Sequence, residues 1–86
     1  MAQMTMYTTS WCGFCRRLKS QLDREGIGYD EVDIERTPDA AETVMRVNGG
    51  NRTVPTVVYP DGSAATNPSF AEVKSALAKA EAASGI

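Results

Sequence analysis

Apolar and polar residues change their spacing along the first third of the chain. Residues Met4–Thr8 alternate weakly and are rich in β-forming types, which predicts a first strand. Over residues 13–25 the apolar positions recur at spacings of three and four, which predicts an amphipathic helix. The apolar stripe of that helix consists of Cys15, Leu18 and Leu22. Gly26 follows the stripe and is expected to terminate the helix.

The middle of the chain predicts a second strand and a second helix. Apolar and acidic residues are interspersed over Tyr29–Asp33, where we place the strand. Thr37-Pro38 opens the helix, with threonine as N-cap and proline at the first helical position. Asn48-Gly49-Gly50 ends it. The residues expected on its inner face are Ala41, Val44 and Met45.

The last third predicts a hairpin and a third helix. Two β-rich segments, residues 53–59 and 63–66, flank the turn signal Pro60-Asp61-Gly62. The helix that follows has two candidate N-caps, Asn67 before Pro68, or Ser69 in a capping box with Glu72. Its apolar stripe is Phe70, Val73, Ala76, Leu77 and Ala80.

These elements follow one another as β-α-β-α-β-β-α. Because a helix connects the first two strands, we expect them to be parallel, whereas the final hairpin is antiparallel. The predicted fold is α/β, with a mixed four-stranded sheet flanked by three helices. At 86 residues the chain is expected to form a single domain over residues 1–86.

Charge and hydropathy narrow the range of partners. The net charge of −2 argues against nucleic acid as a partner. No apolar run approaches the roughly 20 residues that span a membrane, and the N-terminus lacks the pattern of a signal peptide. We therefore expect a cytoplasmic protein with no membrane partner, in a compartment where thiols stay reduced.

The two cysteines of the chain, Cys12 and Cys15, form a C-x-x-C pair where the first strand gives way to the first helix. The first turn of a helix presents unpaired N–H groups and about half a positive charge. A thiolate placed there is stabilised, and the thiolate is the form of cysteine that attacks sulfur. The position of the pair therefore predicts thiol–disulfide exchange.

Two other interpretations of the pair compete with this one. A structural zinc ion takes four ligands, mostly cysteine and histidine, and the chain has two cysteines and no histidine. We therefore expect no metal site. The second alternative is a pair of core cysteines without chemistry. The adjacent Trp11, Gly13 and Phe14 are, however, more typical of an exposed lip than of a core stripe.

Two motifs give the chain its resemblance to a known family. They are Tyr7-Thr8-Thr9-Ser10-Trp11-Cys12-Gly13-Phe14-Cys15 and Asn51-Arg52-Thr53-Val54-Pro55. In that order they resemble the glutaredoxins, which have the shortest form of the thioredoxin fold. The segments at residues 29–35 and 47–56 are similar to the mycoredoxins, glutaredoxin-like bacterial proteins that use mycothiol in place of glutathione. The resemblance covers nearly the whole chain and implies a minimal thioredoxin fold of the glutaredoxin type.

The resemblance implies a thiol–disulfide oxidoreductase that reduces mixed disulfides between proteins and mycothiol. Cys12 lies nearest the helix start and is the expected nucleophile, open to solvent and the more exposed of the pair. Cys15 is the expected resolving or protective thiol, and the implied route proceeds through Cys12 alone. Mycothiol or a similar small thiol is the implied co-substrate, with no tightly bound cofactor. The implied partners are mycothiolated or disulfide-containing proteins, and the implied state is a monomer.

A cis peptide bond before Pro55, beside the nucleophile, is also implied. X–Pro bonds in folded proteins are cis in only about 5–6% of cases, so composition alone predicts trans. In the implied arrangement the backbone N–H and C=O of Val54 are available to pair with a substrate as an added strand would.

The remaining site predictions concern a groove for the small thiol. Arg16 and Arg17 stand in the opening turns of a helix, where cations are mildly unfavourable, which hints at a role toward a thiolate or a ligand carboxylate. Glutaredoxins usually carry Gly-Gly and an acidic residue where this chain has Thr66-Asn67-Pro68-Ser69, which fits a thiol other than glutathione. The candidate binding residues are Trp11, Gly13, Phe14, Arg16, Thr53, Val54, Pro55, Asn67, Pro68 and Ser69.

Two alternative functions stay open at this point. One is a dithiol electron donor to ribonucleotide reductase or other reductases, although the Trp-Ser-Gly-Phe signature of such redoxins is missing from this chain. The other is a carrier of a [2Fe–2S] cluster bridged between two chains through Cys12 and bound thiols. The cluster alternative is open because no proline rigidifies the loop at Gly13-Phe14.

Overall fold

A computed structural model describes residues 4–51 and 53–84. Its elements follow the predicted order, and the bounds of both the first and the second strand are as predicted. Arg52, part of the second family motif, lies outside the described residues. The elements are β1 (Met4–Thr8), α1 (Gly13–Arg24), β2 (Tyr29–Asp33), α2 (Pro38–Val47), β3 (Thr56–Val58), β4 (Ala64–Thr66) and α3 (Phe70–Ser84).

The four strands form one mixed sheet in the order β2-β1-β3-β4. Strands β1 and β2 are parallel, with Met4 opposite Tyr29. Strand β3 is antiparallel to both of its neighbours, β1 and β4. The predicted parallel pair and the predicted hairpin are thereby confirmed. Because β1 lies between β2 and β3, the loop that follows β1 leaves the sheet between two neighbouring strands rather than at an outer strand.

Side chains of β1 point alternately to the two faces of the sheet, and each face has its own apolar cluster. Met4 and Met6 pack on the face covered by α1 and α3, whereas Tyr7 packs on the face covered by α2. The first cluster is centred on Met4, Met6, Leu18, Leu22, Val57, Tyr59 and Val73. The second is centred on Ile34, Ala40, Ala41 and Val44. The predicted stripe of α1 is buried as expected.

The start of β3 and the inner face of α2 differ from the sequence prediction. Strand β3 begins at Thr56 rather than at residue 53, because Pro55 has no N–H to donate to a neighbouring strand. The inner face of α2 includes Ala40 as well as Ala41 and Val44. Met45 is only half-buried, since the helix turns it away from the sheet.

The helix ends follow from local sequence signals. Gly26 has a positive φ of 70° and closes α1 through two backbone bonds, from Gly26 N–H to the carbonyl of Asp23 and from Ile27 N–H to that of Leu22. Ser69 and Glu72 form the reciprocal capping box at the start of α3. None of the helices in the described part of the chain is long and apolar enough to cross a membrane.

Candidate active site

Cys12 occupies the N-cap position of α1 and is joined to Cys15 by a disulfide bond. The Cα atoms of the two residues are 5.2 Å apart, within the ordinary range for a disulfide. The backbone N–H of Cys15 donates to the sulfur of Cys12 at 3.0 Å. One of the unpaired N–H groups of the first helical turn therefore points at the sulfur, as needed to stabilise a thiolate.

The exposure of Cys12 differs from the sequence prediction. Cys12 is the more exposed cysteine, but only at 4% against 1% for Cys15, so both residues are buried. The expectation of a nucleophile open to solvent is wrong for this oxidised form. The reason lies in its neighbours in the fold: the Cys12 sulfur is bonded to Cys15 and faces the backbone at Val54, and these groups cover its surface.

The loop before β3 lies against the nucleophile. The peptide bond between Val54 and Pro55 is cis, as the family resemblance implies. The sulfur of Cys12 lies 3.8 Å from the carbonyl oxygen of Val54. In the reduced protein this is the position from which a thiol donates to the carbonyl, an interaction that favours the neutral thiol. The Val54 N–H has no hydrogen-bond partner in the described part of the chain, so it is available to an incoming backbone.

Large apolar side chains surround the disulfide on the protein surface. Trp11 is 70% exposed and Phe14 is 67% exposed, and Gly13 between them is exposed as well. Isolated exposed aromatics are common, but two beside one cysteine pair form a local apolar rim. Thr53, on the opposite loop, is also exposed.

An open groove of about 280 Å³ begins beside this rim, between α1 and the start of α3. Phe14 and Leu18 line the α1 side, and the segment from Asn67 to Phe70 lines the other. Asn67 and Ser69 are exposed, whereas Pro68 is buried and supports the wall from beneath. The structure thus brings four of the candidate binding residues, Phe14, Asn67, Pro68 and Ser69, to one groove.

The two adjacent arginines of α1 have different surroundings. Arg16 donates from its guanidinium to the carbonyl of Ser10 at 3.2 Å, on the loop that leads to Cys12. Arg17 lines the groove together with Gln21, and neither side chain has a hydrogen bond or ion pair in the described part of the chain. Sequence reasoning treated the two arginines alike and did not single out Gln21. The signal for Gln21 is its position four residues after Arg17, because residues at i and i+4 lie on the same face of a helix.

A network on the other side of α1 ties the helix to the sheet. Glu31 on β2 accepts a hydrogen bond from Lys19 of α1 and another from the hydroxyl of Thr8, the last residue of β1, both at 2.8 Å. The Lys19 ammonium is the main reason that the pKa of Glu31 lies below its ordinary value, with the Thr8 hydroxyl contributing as well. These bonds fix the end of β1 relative to α1, and thus the loop that carries Cys12.

The described residues contain no group of three or more His, Cys, Asp or Glu side chains arranged to hold a metal ion. What they do contain is a Cys12–Cys15 disulfide at a helix start, an exposed apolar rim, an unpaired backbone N–H and an open groove. This arrangement is suited to exchange between the Cys12 sulfur and a disulfide presented along the loop at Val54.

Comparison with known proteins agrees with this geometry. The sequence profile of the glutaredoxin family matches residues 4–63. A protein of Mycobacterium tuberculosis strain H37Rv, provisionally named a glutaredoxin, is 63% identical over 78 residues, covering 91% of this chain and 93% of that protein. Mycoredoxin 1 of Corynebacterium glutamicum is 50% identical over 82 residues, covering 95% of this chain and 98% of its own length.

Among solved structures, the crystal structure of the glutaredoxin from Methanosarcina mazei Go1 superposes with a TM-score of 0.77 at 27% identity. The superposition covers 88% of this chain and 78% of the archaeal one. Profile, relatives and fold agree with the cysteine pair and its surroundings, and the chain belongs to the glutaredoxin family of thiol–disulfide oxidoreductases.

Proposed function

We propose that the protein reduces mixed disulfides between proteins and mycothiol, with Cys12 as the nucleophile. The observation that carries the proposal is the placement of the Cys12 sulfur at the N-cap of α1, where it accepts the Cys15 N–H at 3.0 Å, a contact that favours the thiolate. The similarity to mycoredoxin 1 over nearly the whole length of both chains supports mycothiol as the small thiol.

The proposed reaction has two exchange steps. In the first, the Cys12 thiolate attacks the mycothiol sulfur of the mixed disulfide, the old S–S bond breaks, and the target protein leaves as a thiolate that takes up a proton. In the second, the thiolate of another mycothiol attacks the mycothiol sulfur bound to Cys12, releasing mycothiol disulfide and the Cys12 thiolate. The helix start stabilises Cys12 as a leaving group, which speeds the second step.

Cys15 provides a second outcome for the intermediate. Its sulfur is close enough to Cys12 to displace the bound mycothiol and close the disulfide described above. In the proposed cycle this is a protective branch rather than an obligatory step. The groove between Phe14 and the segment Asn67–Ser69 is proposed to hold the part of the small thiol beyond its sulfur. The exposed residues Trp11, Gly13 and Thr53 are proposed to contact the thiol or its protein partner outside the groove. Arg16 is proposed to fix the loop before Cys12 through its bond to Ser10.

The test compares two small thiols on one target. A protein carrying mycothiol on a single cysteine, and the same protein carrying glutathione, are each reduced by this protein with the matching thiol and reductase in excess. The proposal expects a higher kcat/KM for the mycothiol pair. Equal or faster turnover with glutathione would overturn the assignment of the small thiol, while leaving membership in the family intact.

The proposal also includes the cellular setting predicted from the sequence, a cytoplasmic monomer with disulfide-containing proteins as partners.

The two alternative functions have their own readouts. Rapid reduction of ribonucleotide reductase that depends on both cysteines would favour a dithiol donor. A visible absorption band in freshly purified protein, with a dimeric mass, would favour the cluster carrier.

A further inference from the structure

The side chain of Asn48 makes three hydrogen bonds at one place in the fold. Its amide nitrogen donates to the carbonyl of Thr53 at 3.3 Å and to the hydroxyl of Thr56 at 2.9 Å. Its amide oxygen accepts a bond from the hydroxyl of Thr66. A half-buried amide with both donor hydrogens and its oxygen engaged is a strong local constraint.

The partners of Asn48 lie on two segments that flank the active site. Thr53 directly precedes Val54 and Pro55, the residues facing the Cys12 sulfur. Thr66 ends β4 and directly precedes Asn67, which begins the wall of the groove. One side chain at the end of α2 is therefore bonded to both the loop before β3 and the segment that leads to α3.

Stabilisation of the end of α2 does not account for these bonds. Asn48 is the C-cap residue of α2, but that role is carried by its backbone N–H, which donates to the carbonyl of Val44 at 3.0 Å. Capping therefore leaves the side-chain amide free, and all three of its bonds go to residues beyond the helix. A further side chain, Asn51, joins the Asn48 carbonyl to the Thr53 N–H and braces the same loop from within.

We propose that Asn48 is a positioning residue for thiol–disulfide exchange. Through its bonds to Thr53 and Thr56, the Asn48 amide fixes the position of the Val54 backbone opposite Cys12. Through Thr66, it fixes the groove wall relative to that backbone. The inference rests on exchange at Cys12, part of the proposed function, but not on which small thiol serves as co-substrate. It concerns alignment of the incoming disulfide, because Asn48 has no hydrogen bond to either cysteine among the described residues.

The test uses two reagents that react with Cys12 in different ways. Iodoacetamide needs no backbone alignment, and its rate against pH reports the thiolate itself. A single-turnover reaction with a protein mixed disulfide needs the sulfur and the Val54 backbone in register. For Asn48→Ala we expect the exchange rate to fall by about 10-fold to 100-fold, the range for a small misplacement of reacting groups. The pH profile of alkylation should be unchanged.

Matched variants separate positioning from folding. Thr66→Val removes only the bond to β4 and is expected to lower exchange by about fivefold, the equivalent of one ordinary hydrogen bond. Asn48→Asp keeps the size and the acceptor for Thr66 but loses both donated bonds, and should resemble Asn48→Ala. Thr43→Val, which removes a bond within α2 from the Thr43 hydroxyl to the Asp39 carbonyl, is the control and should leave both rates unchanged. If Asn48→Ala does not fold, Thr66→Val carries the test by itself.

Two results would overturn the inference. The first is an exchange rate within twofold of the parent in folded Asn48→Ala, or in Thr66→Val if Asn48→Ala does not fold. The second is an equal loss in alkylation and exchange, which would mean that Asn48 acts on Cys12 itself. Either result leaves the proposed exchange reaction standing, because that reaction fails only if Cys12→Ser still reduces the mixed disulfide.

Discussion

The backbone N–H of Asn67 donates to the carbonyl oxygen of Pro55 at 2.7 Å. Asn67 begins the groove wall that leads into α3. Pro55 directly follows Val54, whose carbonyl oxygen faces the Cys12 sulfur. Asn67 takes up a left-handed conformation, with φ of 46°, which asparagine tolerates better than most residues. The bond makes the loop and the groove wall one connected surface beside the disulfide, and the site should respond to change as a unit.

Removal of the Arg17 side chain should weaken use of the small thiol. Arg17 lines the groove, and its guanidinium has no hydrogen bond or ion pair to any of the described residues. A hydrogen bond to a charged group contributes about 1.5–3 kcal/mol. For Arg17→Ala we expect KM for the small thiol to rise by about tenfold or more, with kcat nearly unchanged. Steady-state kinetics at varied thiol concentration measure both. Arg24→Ala, at the other end of the same helix, is the control; similar KM values in both variants would exclude a role for the groove.

The same substitution should have opposite effects on stability at two glycines. Gly13 is the first residue of α1, and a Cβ there would have nothing within 4 Å, so Gly13→Ala should raise the free energy of unfolding by about 0.5–1 kcal/mol. Gly26 has φ of 70° at the helix end, so Gly26→Ala should lower it by about 1–2 kcal/mol. Urea unfolding of the oxidised protein measures both, and a loss of stability at Gly13 would contradict the assigned helix start.

A buried hydroxyl near the site offers a stability test of a different kind. Among the described residues, the Thr9 hydroxyl is buried and has no hydrogen-bond partner, whereas the buried Thr56 hydroxyl is bonded to Asn48 and to the Thr53 carbonyl. Thr9→Val should therefore stabilise the fold by about 1 kcal/mol, and Thr56→Val should destabilise it by about 1–3 kcal/mol. Equal losses for the two variants in thermal or urea unfolding would show that Thr9 has a partner.

Alkaline pH should destabilise the protein through Tyr29. Burial raises the pKa of Tyr29 to about 12, and its hydrogen bond to Asp23 adds to the shift. Because the folded pKa lies above the ordinary value of 10.0, the stabilising effect is complete below pH 10 and is lost as the pH rises toward 12. The free energy of unfolding of the oxidised protein, measured across that pH interval, should fall as the pH rises. Tyr29→Phe should reduce the slope of this free energy against pH. An identical slope in both proteins would refute the assignment.

Much of the fold follows from local signals in the sequence. The change from a period of two to a period of 3.6 places β1 and α1, and the caps at Gly26 and Ser69 set helix ends. Strand β3 begins three residues later than the sequence predicts, because the β-branched residues favour a strand from residue 53 whereas Pro55 interrupts its hydrogen bonds. A local preference was overridden by a missing donor.

The candidate site was less completely predictable. The cysteine pair and the motif at Val54 could be found in the sequence because each is contiguous. The groove could not, because Arg17 and Gln21 meet Asn67 and Ser69 only when α1 packs beside α3. Likewise, the burial of Cys12 depends on the loop at Val54, which is 42 residues away along the chain. Such long-range packing leaves no local pattern.

Single-turnover reduction of a mycothiolated protein by Cys12→Ser, Cys15→Ser and the unchanged protein tests the central claim most directly. If Cys12 is the nucleophile and the helix start stabilises its thiolate, Cys12→Ser loses activity by at least about a thousandfold, while Cys15→Ser keeps a substantial fraction. Substantial activity in Cys12→Ser, with the larger loss in Cys15→Ser, would contradict the account.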